Sequence, residues 1–222
     1  MKVEYRDHSG SDLSVVNAAR CSFGKESEWE YVPHAEIADC EVAVLSAKDT
    51  KLINYLAREK HVLPFRHPQV TLRIKVPIFL ARQLGKHQVG MSWSEESRRY
   101  VTTEPEFFYP DVLRKAAENV KQGSSDESAT TSVDMSWYVG VALGAYNKML
   151  EDGVAPELAR MILPQNMLVT AVWTGSLLSF YQMYKLRSEA HAQVEARDFA
   201  EMVKEVIQPL YPESWKALEE HV

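Results

Sequence analysis

The chain has 222 residues, 45% of them apolar and including ten tyrosines and five tryptophans, which excludes a disordered polypeptide and allows one domain with a sizeable core. The formal net charge of −6 argues against a non-specific nucleic-acid binder, which normally shows a basic face. No run approaches the ~18 apolar residues of a membrane span, and Met1-Lys2-Val3-Glu4-Tyr5-Arg6-Asp7 has no apolar signal core, so neither an anchor nor a leader is expected.

Lys2 to Tyr5 suits an opening strand, and Asp12 is placed to cap a helix through Val15, Val16, Ala18 and Ala19. Ser46 to Lys60 reads as a helix with Leu52, Ile53, Tyr55 and Leu56 on its apolar face. It runs into a structured turn, His61 to Pro68, with two prolines and two histidines. Alternation at Val70, Leu72, Ile74 and Val76 predicts a strand over Gln69 to Val76. Pro77 suits the first turn of a helix from Ile78 to Lys86. Val101 to Pro110 is a proline-bearing loop. Residues 121–132 are polar and predict a mobile insertion within a single domain spanning 1–222. Helical periodicity resumes from Val133 to Leu150, and Glu157 to Ile162 is a short helix stopped by Pro164. Met167 to Trp173 reads as a second strand. Ser176 to Leu186 and Ala190 to Ile207 read as helices, the last closed by Pro209 and Pro212. Helices with a few separated strands and no strict βαβ alternation give an α+β class.

One stretch stands out. Residues 82–100 carry Arg82, Lys86, Arg98 and Arg99, together with His87, two glutamates and three serines. Such a cluster is costly to bury unpaired, so it is either a solvated loop or a grip on something polar delivered to one place. Arginine forks, serine hydroxyls and free backbone N–H groups suit a phosphate. A second constellation follows: Arg160, then Arg187, His191 and Glu195, the last three spaced by four so that they can share a helical face.

Cys21 and Cys40 form no CxxC and no zinc spacing, which fits a reduced, cytoplasmic chain. Cys21 beside Arg20 reads first as a small buried or half-buried residue, and only second as a thiolate. No GxGxxG, P-loop, HExxH or GxSxG motif occurs.

The two constellations together resemble the flavin-dependent thymidylate synthases, whose pattern is Arg-Gln-x-x-Arg-His-Arg-Thr-x-Ser-x-Asn-Glu-x-Ser-x-Arg-Tyr. Here stand Arg82-Gln83, Lys86-His87-Gln88, Ser92, Ser94-Glu95, Ser97 and Arg99-Tyr100. His61-x-x-Pro64-Phe65-x-His67 is similar to the family's His-x-x-Pro-Phe-Glu-His. Ala159-Arg160-x-x-Leu163-Pro164, Leu186-Arg187 with His191-Ala192-Gln193-x-Glu195, and Ala18-Ala19-Arg20-Cys21-Ser22 also match in order. The chain departs from the pattern in three places. Lys86 and Gln88 replace the triplet's arginines. Eight residues instead of seven separate the triplet from Ser97, an insertion around Val89 to Met91. Ser176-x-Leu178 stands where the family has Asn-x-Arg. Triplet and Asn-x-Arg are the family's flavin contacts, so the departures fall on that part.

The resemblance implies a twisted, mostly antiparallel sheet flanked by helices. It implies methylation of dUMP to dTMP with methylenetetrahydrofolate as carbon donor, FAD as redox carrier and NADPH as reductant. It implies a homotetramer with shared active sites, and no nucleic acid or membrane as partner. Arg187 takes the catalytic role. Gln83, Ser97 and Arg99 take the phosphate, with Lys86, Glu95, Arg98, Arg160 and Arg187 completing the dUMP site. His61, Leu63, Lys86, His87, Gln88, Glu95, Ser176 and Gln182 face FAD. No metal is implied. The alternative is a uridine-nucleotide-binding homologue that has lost the flavin reaction.

Overall fold

The computed structural model describes residues 1–33, 37, 40–118 and 123–222. Strand β1 (Lys2–Ser9) leads into helix α1 (Asp12–Arg20), and strands β2 (Glu30–Pro33) and β3 (Glu41–Val44) form a hairpin. Helix α2 (Ala47–Arg58), strand β4 (Gln69–Pro77), helix α3 (Ile78–Leu84) and strand β5 (Met91–Glu95) follow. Strands β6 (Arg114–Ala116) and β7 (Ser124–Ser128) pair as a second hairpin. Helices α4 (Met135–Glu151) and α5 (Pro156–Ala159), strand β8 (Leu168–Ser176), and helices α6 (Leu177–Ser188), α7 (Val194–Ile207) and α8 (Pro212–His221) complete the chain.

The main sheet runs β1-β4-β8-β5, with every pairing antiparallel. For β4 the alternation seen in the sequence is the reason. In β4, Val70, Leu72, Ile74 and Val76 are all buried, and in β8 Val169, Ala171 and Trp173 are buried opposite them. Trp173 is the hub of the core. It meets Trp93 of β5 at 5.4 Å, Phe180 of α6 at 5.1 Å and Phe199 of α7 at 6.4 Å between ring centroids. Gly175 lets the edge close, because a Cβ there would collide with the sulfur of Met91.

Several expectations shift. Ser11, not Asp12, is the N-cap of α1. The Asp12 carboxylate is buried and accepts from the backbone N–H groups of Glu213 (3.0 Å) and Ser214 (2.9 Å), so it serves the N-terminus of α8. Pro212 opens α8 at a position where its missing N–H costs nothing, instead of closing the preceding helix. Strand β5 lies inside the polar stretch, where only Met91 and Trp93 of its alternate positions turn inward. Of the polar 121–132 segment, Ser124–Ser128 is paired strand, whereas 121 and 122 lie outside the described residues. Cys21 is exposed. Among the described residues no helix is long and apolar enough to cross a membrane.

Candidate active site

The expected residues do not converge on one cavity: seven of them line three clefts, and Lys86, His87, Gln88, Ser97, Arg99, Ser176 and Gln182 line none of these. The first, about 410 Å³, holds Gln83, Gly123, Leu186, Arg187, Glu189, His191, Ala192 and Gln193. Arg187 comes from the last turn of α6 and Gln83 from α3. The guanidinium donates from Nε to His87 Nε2 (3.0 Å) and from Nη2 to the Gln83 carbonyl (2.9 Å). Its Nη1 has no partner among the described residues. Burial lowers the Arg187 pKa, but a guanidinium remains charged at any working pH. Burial first, and the Arg187 charge second, push His87 down to about 4, so its ring is neutral and Nε2 can accept. Arg187, His191 and Glu195 do not share a helical face. Arg187 lies in α6, His191 in the turn after it, and Glu195 in the first turn of α7.

The second cleft, about 290 Å³, gathers Arg82, Glu95, Glu96, Arg98 and Arg160 with Met161, Leu163 and Gln165. Arg98 is buried and donates to the Thr103 carbonyl, which fixes the loop after β5. Arg160 sits exposed on the turn after α5. Ser97 and Arg99 lie on the loop after β5, with Arg99 Nε 3.2 Å from Ser97 Oγ and the guanidinium over Tyr100 at 4.9 Å. Glu95 accepts from Trp93 Nε1 at 3.1 Å.

The third cleft is the largest, about 640 Å³. Its walls include Phe23, Leu52, Tyr55, Leu56, Leu63 and Pro64, and Arg20, Lys25, Lys48 and His61 stand around them. His61 is held there by the end of α2. Its N–H bonds the Leu56 carbonyl (2.8 Å) while Lys60, at φ 59°, bonds that of Ala57 (3.1 Å), a left-handed helix stop. Arg20 pairs with buried Asp49, whereas Lys25 and Lys48 form no ion pair among the described residues. An apolar slot with a cationic rim fits a planar ring system bearing a pyrophosphate, as in FAD.

Two of the three departures from the family pattern, the inserted residue and Ser176, meet in space. Gly90, at φ 69°, turns the chain so that the Val89 carbonyl accepts from Ser179 Oγ (2.9 Å) and the Gly90 carbonyl from the Ser176 N–H (3.2 Å). Ser176 Oγ lies 2.7 Å from Ser179 Oγ and caps α6 by accepting from the Ser179 N–H. Ser176 is therefore buried and bonded inward. Lys86, Gln88 and Gln182 are exposed.

Sequence reasoning missed Arg114, in residues 111–120 where no element was expected, and Ser124, in the segment expected to be a mobile insertion. Arg114 donates to Ser124 Oγ (2.8 Å) and pairs with Glu195 at 2.5 Å. Burial raises the Glu195 pKa, but Arg114 and Gln193 more than offset it, and the carboxyl is held below its ordinary value.

An α+β scaffold with two arginine-lined clefts and an apolar cleft rimmed by cations is suited to an enzyme whose ligands are anionic and aromatic. The chain matches the thymidylate synthase complementing protein family over residues 4–213, and it belongs to that family. It is 34% identical to a flavin-dependent thymidylate synthase of Thermus thermophilus, covering 97% of this chain and 74% of that one. To a flavin-dependent thymidylate synthase of Tropheryma whipplei it is 33% identical, covering 98% and 91%. Among solved structures it is similar to a UMP/dUMP methylase, PolB, from Streptomyces cacaoi bound with 5-Br dUMP. The TM-score is 0.79 at 29% identity, covering 99% of this chain and 95% of that one. The same methylase bound with 5-Br UMP gives 0.76 at 28% identity, covering 99% and 93%. The chain is thus an enzyme of the methyltransferase class.

Proposed function

We propose that this enzyme methylates the uracil ring of dUMP to give dTMP, with methylenetetrahydrofolate as carbon donor, FAD as redox carrier and NADPH as reductant. The observation that carries the reading is the Arg187 cleft. Two of the guanidinium's donor groups are anchored by His87 and Gln83, which orients the fork and leaves Nη1 to a ligand.

Carbon C5 of uracil is a poor nucleophile. Donors aimed at the ring carbonyls stabilise the negative charge that develops as C5 attacks. Arg187 supplies such donors, and with its charge fixed it acts by polarisation and not as a base. Neither cysteine lines this cleft, which supports activation without a thiol adduct. His87, neutral at working pH, holds Arg187 without competing for a negative ligand. Because Gln83 shares the Arg187 cleft, we assign it to the ring and not to the phosphate that the resemblance implied for it. Ser97, Arg98, Arg99 and Arg160 remain the cations and hydroxyl for the phosphate, with Glu95 beside them.

His61, Leu63, Lys25 and Lys48 line the cleft that would hold FAD. Lys86, His87 and Gln88, on the turn after α3, are assigned to the flavin by the family pattern alone and line none of the three clefts. When bound, FAD supplies the redox step, passing reducing equivalents from NADPH. A homotetramer is supported by the exposed apolar stripe of α4, where Trp137 (59% exposed) and Val141 flank Gly140 and Gly144. In such an assembly the separate clefts of one chain can be completed by those of another.

The test is conversion of dUMP to dTMP by the purified chain with FAD, NADPH and methylenetetrahydrofolate, run beside UMP because PolB is a UMP/dUMP methylase. A colourless protein that binds dUMP and makes no product would support the alternative, a nucleotide-binding homologue without the flavin reaction.

A further inference from the structure

Behind the Arg187 cleft lies an ion pair that the mechanism above does not use. Glu195 is 5% exposed, and Arg114 reaches it from β6. A buried pair of this kind is weak evidence for stability alone. Its second carboxylate oxygen accepts from Gln193 Nε2 at 2.8 Å. An ionised carboxylate can only accept, so Gln193 must turn its amino end to Glu195 and its carbonyl end away. That carbonyl accepts from Gln83 Nε2 at 2.7 Å. Gln83 in turn keeps its amino end toward Gln193. Its Oε1, with no partner among the described residues, is left as an acceptor. Flipping Gln83 would set two carbonyl oxygens against each other.

We infer that Glu195 and Gln193 are positioning residues that lock Gln83 as a hydrogen-bond acceptor beside Arg187, and that this acceptor selects uracil over cytosine. Uracil's N3 carries a proton and is flanked by carbonyls. Arg187 facing a carbonyl and Gln83 Oε1 facing N3–H match that edge. Cytosine presents an unprotonated N3, which would oppose Oε1 with a second acceptor. Arg114 holds Glu195 charged, which gives the relay its direction. The inference rests on the nucleotide reading of this cleft.

The experiment is calorimetric titration of the full-length protein with dUMP, dCMP and deoxyribose 5-phosphate. It compares the parent with Glu195→Gln, whose amide oxygen stays with the Arg114 donor and so turns its amino end to Gln193, reversing the relay, and Gln193→Met, which cuts the relay but keeps the ion pair. Thermal unfolding of each variant reports on the fold. The parent should prefer dUMP to dCMP strongly. In both variants that preference should fall by about tenfold or more, through weaker dUMP binding, while deoxyribose 5-phosphate binding is unchanged. If Glu195→Gln fails to fold, Gln193→Met carries the test. An unchanged dUMP/dCMP ratio in a folded variant overturns the relay and leaves the nucleotide site standing. A parent that binds neither nucleotide overturns the nucleotide reading itself.

Discussion

Arg187 donates from Nε to Nε2 of His87 across 3.0 Å, so the position of this guanidinium depends on an unprotonated ring. The second anchor, the Gln83 carbonyl, is backbone and does not titrate. Side-chain protonation can therefore release one of the two holds on Arg187 and not the other.

Replacing Arg187 with alanine should abolish dTMP formation while the fold survives. Lysine should restore little, because its three donors radiate from one nitrogen and cannot reproduce the planar fork whose separate nitrogens reach His87 and Gln83 and leave a third for the ring. Steady-state turnover with circular dichroism as a fold check decides this; near-parent turnover by the lysine variant removes Arg187 from the role.

His87 gives a pH dependence of definite sign. Its folded pKa, about 4, lies below the ordinary value of 6.5, so the unfolded chain binds the extra proton first as pH falls. The stability tied to the neutral ring is present above about 6.5 and is lost progressively toward about 4. Thermal midpoints across that window should fall in the parent. They should fall by less in His87→Gln, whose amide oxygen can still accept from Arg187. Parallel curves for the two proteins would count against the assignment.

Cys21→Ser combined with Cys40→Ser should leave dTMP formation within a few-fold of the parent, since Cys21 is exposed beyond α1 and neither thiol lines the Arg187 cleft. Complete inactivity of the folded double variant would return a thiol adduct to the mechanism.

Lys60 is the only non-glycine with positive φ among the described residues, at 59°. A left-handed conformation costs an L-residue roughly 1–2 kcal/mol, partly offset in glycine by the greater freedom of its unfolded chain. Lys60→Gly should therefore stabilise by up to about 1 kcal/mol, read as a higher denaturation midpoint at unchanged slope. It should leave His61 in place.

Strand β4 was legible because Val70, Leu72, Ile74 and Val76 alternate strictly, and β8 because Val169, Thr170, Val172 and Trp173 favour a strand. Strand β5 was not, because it lies in the polar stretch. The site residues were legible as motif members, yet their grouping was not. Gln83 and Arg82 are adjacent in sequence, but α3 points them into different clefts, and a spacing of four suggested one helix where Glu189 to Gln193 is a turn. The β6–β7 hairpin was hidden because its strands are polar. It is held by Lys115–Glu127 and Arg114–Ser124 bonds and not by an apolar face, so no hydrophobic period marks it.

The bonds between the 88–91 turn and the start of α6 make two departures from the family pattern into one inherited unit. Deleting a residue to restore the seven-residue spacing would draw the Val89 carbonyl away from Ser179 and leave a buried hydroxyl without its acceptor. Installing Asn-x-Arg at 176–178 alone would drive a larger side chain into a space where Gly90 already has no room for a Cβ beside Ser179 Oγ, 2.5 Å away. Chimeras with a relative should thus tolerate the joint exchange better than either half. A lineage carrying the longer loop should carry small residues at 176 and 179 with it.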